Sequence, residues 1–470
     1  MLPLAHVLRR PHAPSHQVYG RLSASLLAVM LLSGCAAQIR TTYQTPAIAL
    51  PSALPHATAQ GSAIIADRWW TQLGDARLTQ LIDDALAQNN DLAAAALRVQ
   101  QARLQAGLTA TNQLPQFGAS ANMNQSRTLG ESGTSRSQSL NGSVSYQLDL
   151  FGKLARQTDA AQWEANATEQ DRQAAALSLI GTVSSLYWQI GYLNQRIDSA
   201  QLSLSNSQKL QQLVQVQYRN GAVSGLDTAQ AEQAVASQQS SLAQLEQQRV
   251  EAQNALAILF NQSPQQMADL PRKLPPLSLP TVQAGLPADL LARRPDLRAS
   301  ELRLRKVLAT RDATQASYYP SISLTGSLGT SSTNLSDILK NPVLALGAGV
   351  SLPFLNQAAM QRDIAIADSQ YAEAIVNFRQ TLYSALADVD NALSNQQQLQ
   401  AQINAQQATL NAAQRSERLY RIQYDNGAVA LKFVLDAQES RRQAENALAQ
   451  IQLNQLNNRV TLYQALGGGF

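Results

Sequence analysis

The sequence predicts an α+β membrane protein built as an internal tandem repeat, and three observations support this. The two halves repeat each other at an offset of about 205 residues, each copy holds a pair of period-two segments, and each pair is followed by a proline-free helical pattern of about 66 residues. Asp91 to Arg98 (DLAAAALR) matches Asp296 to Arg303 (DLRASELR) at five of eight positions, and Pro115 pairs with Pro320. Gln217 to Val223 (QYRNGAV) matches Gln423 to Val429 (QYDNGAV) at six of seven positions, offset by 206. A single insertion in two hundred residues marks duplication rather than chance.

Aromatic residues at 5% and charged residues at 14% of 470 are low for compact globules of this length. At the N-terminus, Leu22 to Leu32 is an apolar run of eleven residues preceded by Arg9, Arg10 and Arg21 with no acid, the layout of a secretory signal and too short to span a bilayer. The twenty residues before Arg21 are long for a signal's basic region, so a start nearer Val18 is the expectation. The run ends in Leu32-Ser33-Gly34-Cys35, and Cys35 is the sole cysteine, so no disulfide framework exists. This stretch resembles a bacterial lipoprotein signal, which implies cleavage after residue 34 and a covalent lipid on Cys35. Ala36 is not the acid associated with inner-membrane retention, so the outer membrane is expected. Removing residues 1–34 takes away three arginines and three of four histidines, leaving a net charge near +1 and only His56. The charge therefore implies no nucleic acid, and a His-based metal site or triad lacks material.

Residues 35–66, polar and interrupted by prolines, read as a lipidated extended tether. The first repeat is expected over 67–262, with helices near Asp75 to Gln88 and Asp91 to Gln113, each opening on a capping Asp. Pro115 stops the second helix, and 116–150 reads as a β-hairpin with Leu140, Gly142, Val144, Tyr146, Leu148 and Leu150 alternating and a Gly/Ser-rich tip from Thr128 to Ser139. A Pro-rich linker follows at 263–287, then the second repeat over 288–470 with its hairpin at 321–352. Twelve strand residues reach roughly 40 Å, enough to cross an outer membrane at a tilt.

Long helices are expected from Gly152 to Tyr218 and Gln357 to Tyr424, with return helices to about Phe260 and Leu466. About 66 residues span roughly 100 Å. Val183, Ile190, Ile197 and Leu204 recur every seven residues, with Leu186, Leu193 and Ala200 three later, which is a coiled-coil seam. Asn220-Gly221 and Asn426-Gly427 supply the left-handed caps at which the chain turns back.

In hydrocarbon every backbone polar group must be paired, so a sheet there has to close, and four strands cannot. The smallest bacterial barrels need about eight strands; two chains would supply eight and three would supply twelve, and the larger count leaves a wide water-filled lumen. Tyr146 to Lys153 (YQLDLFGK), Gly285 to Leu291 with Arg293-Arg294-Pro295-Asp296, and Leu435-Asp436-Ala437-Gln438 resemble signature segments of TolC-type outer-membrane efflux proteins. With the lipid signal, the similarity is to the NodT-type efflux lipoprotein branch. The resemblance implies a trimeric twelve-stranded β-barrel, four strands per chain, continued by a long periplasmic α-helical barrel. It also implies an exit duct meeting a periplasmic adaptor and an inner-membrane pump, of RND type.

The resemblance further places the family's periplasmic gate at the helix turns: its gating Asp falls on Asp227, its gating Tyr on Tyr424 and one pore-facing Asp on Asp436. Asp227 as a helix cap and Tyr424 as turn packing are the plainer roles open to the same residues. Val429 stands where the family's gate has Arg and Phe433 where it has a second Asp, so part of the polar lock is absent. Lys432 can instead pair with Asp436 at i, i+4. A gate held more by packing than by charge is the expectation.

Neither a phosphate-binding Gly-x-x-x-x-Gly-Lys-Ser/Thr nor a Gly-x-Ser-x-Gly occurs, so an enzyme is not expected, and no cofactor beyond the lipid on Cys35. The competing reading is a periplasmic adaptor or structural coiled-coil lipoprotein, which leaves the two hairpins unexplained. Five scattered methionines and one mature histidine weigh against metal ions as cargo.

Overall fold

The computed structural model describes residues 40–49, 51, 54–56, 67–127, 129–130, 133–264, 269–275 and 293–468. The expected signal segment 1–34, the expected lipid site Cys35 and most of the expected linker 263–287 lie outside the described residues. The elements are α1 (Ala76–Gln88), α2 (Asn90–Thr111), β1 (Gln116–Arg127), β2 (Thr134–Leu148), α3 (Lys153–Arg219), α4 (Gly225–Leu259), α5 (Pro295–Ala316), β3 (Ser321–Ser332), β4 (Pro342–Ser351), α6 (Gln357–Asp425) and α7 (Leu431–Ala465). They fall into two compact units, one containing Arg103–Glu164 and Arg303–Ala374, the other Ala165–Leu302 and Ile375–Phe470.

The first unit holds an antiparallel sheet of order β1-β2-β3-β4, in which β2 and β3 join the hairpins of the two copies. The register sorts the side chains by face. Phe117, Ala119, Ala121 and Met123 share a face with Leu140, Val144, Tyr146 and Leu148, with Ile322, Leu324 and Leu328, and with Leu344, Leu346, Ala348 and Val350. The opposite face carries Ser120, Asn122, Ser139, Asn141, Ser143, Ser323, Thr325, Ser327, Gly347 and Gly349 at matching positions, and no charged residue. The outer strands β1 and β4 have no partner beyond the sheet among the described residues and are exposed along their whole length.

Two local expectations need correction. The Gly/Ser-rich stretch Thr128 to Ser139 is not all tip: pairing continues to Arg127 opposite Thr134, so Thr134 to Ser139 are strand. Both faces are polar there, which hides the alternation. Nor does Asp91 cap α2; Asn89 does, its Oδ1 accepting from Leu92 N at 3.0 Å while its amide donates to Leu259 O at 3.0 Å. Asp75 caps α1 through the N–H groups of Arg77 and Leu78. Within Tyr146 to Lys153, Asp149 accepts from the N–H groups of Leu154 and Ala155 at 3.0 and 2.8 Å and so anchors the start of α3 immediately beyond the sheet.

The tether is docked where it is described. In the first unit Thr41 donates through its N–H and hydroxyl to buried Asp312, at 2.8 and 2.7 Å. In the second, Leu54 is buried among Leu297, Leu382, Leu386 and Leu462, and His56 meets Asp390 at 3.0 Å.

The second unit's largest core centres on the heptad seam. Val183, Ile190, Leu193, Ile197 and Ala200 are buried against Leu245, Ala252 and Leu256 of α4, Leu453, Leu456 and Val460 of α7, and Leu78 and Ile82 of α1. Trp69, fully buried, stacks on Tyr463 with ring centroids 4.5 Å apart. Apolar burial at the seam, about 1.5–3 kcal/mol per large side chain, supplies the tertiary packing on which helix stability in proteins mostly rests.

Ile190→Ala should therefore cost about 2–5 kcal/mol, whereas Asp149→Ala, which loses only a cap, should cost about 1 kcal/mol. Denaturant unfolding in detergent compares them, and an Ile190→Ala loss no larger than that of Asp149→Ala would contradict the seam.

Candidate gate at the helical turns

Both long helices end on the repeated Gln-Tyr-x-Asn-Gly-Ala-Val, and both close alike. Gly221 and Gly427 adopt φ of 72°, a left-handed conformation open to glycine. Ala222 N donates to Gln217 O at 2.9 Å, and Ala428 N to Gln423 O at 2.8 Å, which ties off the last helical carbonyls.

The return helices start differently. In the first copy Asp227 Oδ2 accepts from Ser224 N at 2.9 Å and from Ser224 Oγ at 2.7 Å, a capping box at the start of α4. Asp227 thus performs the capping role open to it in the sequence. In the second copy Ala430 has no side chain to cap with, and the position equivalent to Asp227 is Phe433, whose ring stacks on Tyr420 at 5.8 Å and 15°.

Tyr424 links the copies. Its hydroxyl donates to Gln217 Oε1 at 3.0 Å, and its ring packs with Val223 and Leu435 on the cluster of Leu210, Val214, Ala231 and Leu431. Burial pushes the Tyr424 phenol above its usual value, and the carboxylates of Asp227 and Asp425 push it further, against the opposing pull of Arg421. Asp227 and Tyr424 therefore belong to one electrostatic neighbourhood.

Lys432 Nζ lies 2.5 Å from Asp436 Oδ2, and both side chains are well exposed. Together they line a cavity of about 370 Å³ with Ser207, Gln238, Glu417 and Arg441. Arg441 meets Glu417 at 2.5 Å and Glu445 at 2.6 Å; burial pulls its guanidinium down, but the two carboxylates outweigh it and hold it above its usual value. The sequence reading missed Gln217, Glu417 and Arg441; the only signal for Gln217 was its place inside the repeated turn motif. No group of three or more His, Cys, Asp or Glu able to hold a metal occurs among the described residues. No helix among them is long and apolar enough to cross a membrane, which says nothing of the sheet.

Known proteins share the two-copy organisation of the chain. The family model described as outer membrane efflux protein matches residues 81–262 and 286–468, one match per copy. The pyoverdine export outer membrane protein OpmQ of Pseudomonas putida is 33% identical over 469 residues, covering 97% of this chain and 98% of that protein. The cation efflux system protein CusC of Escherichia coli K12 is 30% identical, covering 94% and 97%. Among solved structures, the outer-membrane channel OprN superposes with a TM-score of 0.81 at 28% identity, covering 91% of this chain and 98% of that one. The open-state MtrE outer membrane channel of Neisseria gonorrhoeae gives 0.79 at 31% identity, covering 91% and 98%. The chain belongs to the outer membrane efflux protein family and is an outer-membrane channel of export.

Proposed function

We propose that this chain is the exit duct of a tripartite efflux system, with three copies pooling their sheets into one twelve-stranded barrel. The observation that carries this reading is a sheet with one apolar face, one uncharged polar face and two unpartnered edges. Apolar side chains suit lipid, hydroxyls and amides suit a wet lumen, and open edges require neighbours. The long helices cross the periplasm towards an adaptor and an inner-membrane pump of RND type. The duct is passive and performs no catalytic step; energy comes from the pump. It has no resident cofactor, and the lipid on Cys35 adds an anchor worth about 0.8 kcal/mol per buried CH₂. A periplasmic adaptor or structural coiled-coil lipoprotein has no use for such a two-faced sheet. The named relatives serve pyoverdine export and cation efflux, which fits a duct whose cargo is chosen by its pump.

Asp227, Tyr424, Lys432 and Asp436 form the periplasmic gate, with Tyr424 as its hinge of contact between the copies. The Lys432–Asp436 pair is exposed, and such pairs contribute little. The buried cluster under Tyr424 and the Tyr420–Phe433 stack supply most of the closing contact.

Full-length lipidated protein should migrate as a heat-modifiable trimer and conduct in planar bilayers; a monomer without conductance would overturn the duct. Tyr424→Phe, which deletes the bond to Gln217, should raise the leak of the closed channel, as should Asp227→Ala, while Lys432→Ala should change it less. Unchanged leak in both of the first two would remove the gate assignment. The Tyr424 phenol has a raised folded-state value, so its stabilising contribution is complete below the unfolded value of about 10 and is lost as pH rises through the raised one. Leak should therefore be flat from neutral pH to about 10 and rise above it, and Tyr424→Phe should abolish that rise.

A further inference from the structure

The strand register places two cations where the apolar face of the sheet ends. Along β2 that face runs Leu148, Tyr146, Val144, Gly142, Leu140 and then turns polar at Gln138 and Arg136; along β1 it runs Phe117, Ala119, Ala121, Met123 and then Gln125 and Arg127. The eight steps from Leu148 to Leu140 span roughly 26 Å along the strand, or about 20 Å of depth at a barrel tilt of about 40°, most of a membrane-facing apolar band about 25 Å tall. Arg136 lies four residues further. Gln125 pairs with Arg136 and Arg127 with Thr134, so the two arginines are diagonal neighbours on one face, about 7–8 Å apart.

The two ends of the band differ in chemistry. At the end leading into the helices sit Phe117, Tyr146, Phe151 and Tyr319, the last two with rings 4.9 Å apart, as in an aromatic interfacial belt. At the loop end are the arginines, both exposed, and neither forms an ion pair with a described residue. Of the charged groups on the neighbouring loop, Lys340 is held by Asp337 at 2.5 Å; Glu131, between the arginines in sequence, lies outside the described residues. The face carrying both arginines has no carboxylate on any of the four strands.

We propose that Arg127 and Arg136 form a phosphate clamp for the phosphorylated glycolipid of the outer leaflet. This rests on the channel reading, in which the apolar face meets lipid and the loop end lies outside. The outer leaflet on that side is built of glycolipid whose phosphates stand at the edge of the hydrocarbon. Two guanidinium forks on adjacent strands can close on one phosphate through charge-assisted, bidentate hydrogen bonds. The clamp fixes the height of the hairpin in the membrane and seals the annulus around the barrel.

The test uses the full-length protein extracted in mild detergent with labelled bisphosphoryl lipid A, dephosphorylated lipid A, or phosphatidylglycerol. Wild type should retain bisphosphoryl lipid A in preference to the other two. Arg127→Gln with Arg136→Gln should retain it about 30-fold less, at roughly fivefold per arginine near an anionic surface, and the paired Lys variant should recover part of it. Both variants should keep wild-type conductance, so that loss of lipid is not loss of fold. Equal retention by wild type and the double Gln variant, or equal retention of phosphatidylglycerol, would overturn the clamp. Absence of conductance in the wild type would instead strike the channel reading.

Discussion

Unpaired backbone at the two edges of the sheet is the constraint from which the rest of this protein follows. β1 and β4 each present a row of N–H and C=O groups that water can satisfy and hydrocarbon cannot. Each such group left bare in lipid costs several kcal/mol, far more than a chain of ordinary stability can carry. The duplication supplies two hairpins, and the β2–β3 pairing fuses them into one sheet with two edges instead of four. Fusion halves the problem inside one chain, and assembly between chains removes the remainder. The same sheet does not behave as a soluble layer either, because its apolar face, with Leu344 and Leu346 largely exposed, is covered by nothing among the described residues.

Duplication also shapes the helical turns, where the copies have diverged. The first keeps a polar start, with Ser224 and Asp227 satisfying the end of α4. The second gives up that cap, and Phe433 and Tyr420 hold the turn by ring contact instead. An uncapped helix start is the weaker of the two by about 1 kcal/mol, and the helix carrying it also bears Lys432 and Asp436. Tyr424, reaching from the second copy to Gln217 of the first, is where the sturdier and weaker turns are coupled.

Periodicity made the long helices, the heptad seam and both hairpins legible, because Val183 to Leu204 and Leu344 to Val350 each display their own spacing without help from the rest of the chain. Local pattern fails where a distant partner decides. Asn89 caps α2 because its amide is also held by Leu259, 170 residues away. The tether reads as a free linker because its partner Asp312 lies 271 residues from Thr41. Thr134 to Ser139 reads as loop because both faces are polar, with Thr134, Arg136 and Gln138 on one and Ser135, Ser137 and Ser139 on the other, and only the pairing with Asn122 to Arg127 makes it strand. At the turns the repeat made the shared Asn-Gly closure legible, but the partnership of Tyr424 with Gln217 crosses between copies and has no local trace.

Edge-to-edge contact between sister chains is the central claim, and cysteine trapping tests it most directly. One cysteine placed in turn along the polar face of β1, from Ser120 to Asn124, and one along the matching face of β4, from Ala345 to Gly349, would be oxidised in native outer membranes. Covalent dimers and trimers should form at one register and fail two residues to either side. If no combination cross-links different chains, or if β1 and β4 of one chain trap each other, the sheet is not completed by its neighbours and the account is wrong.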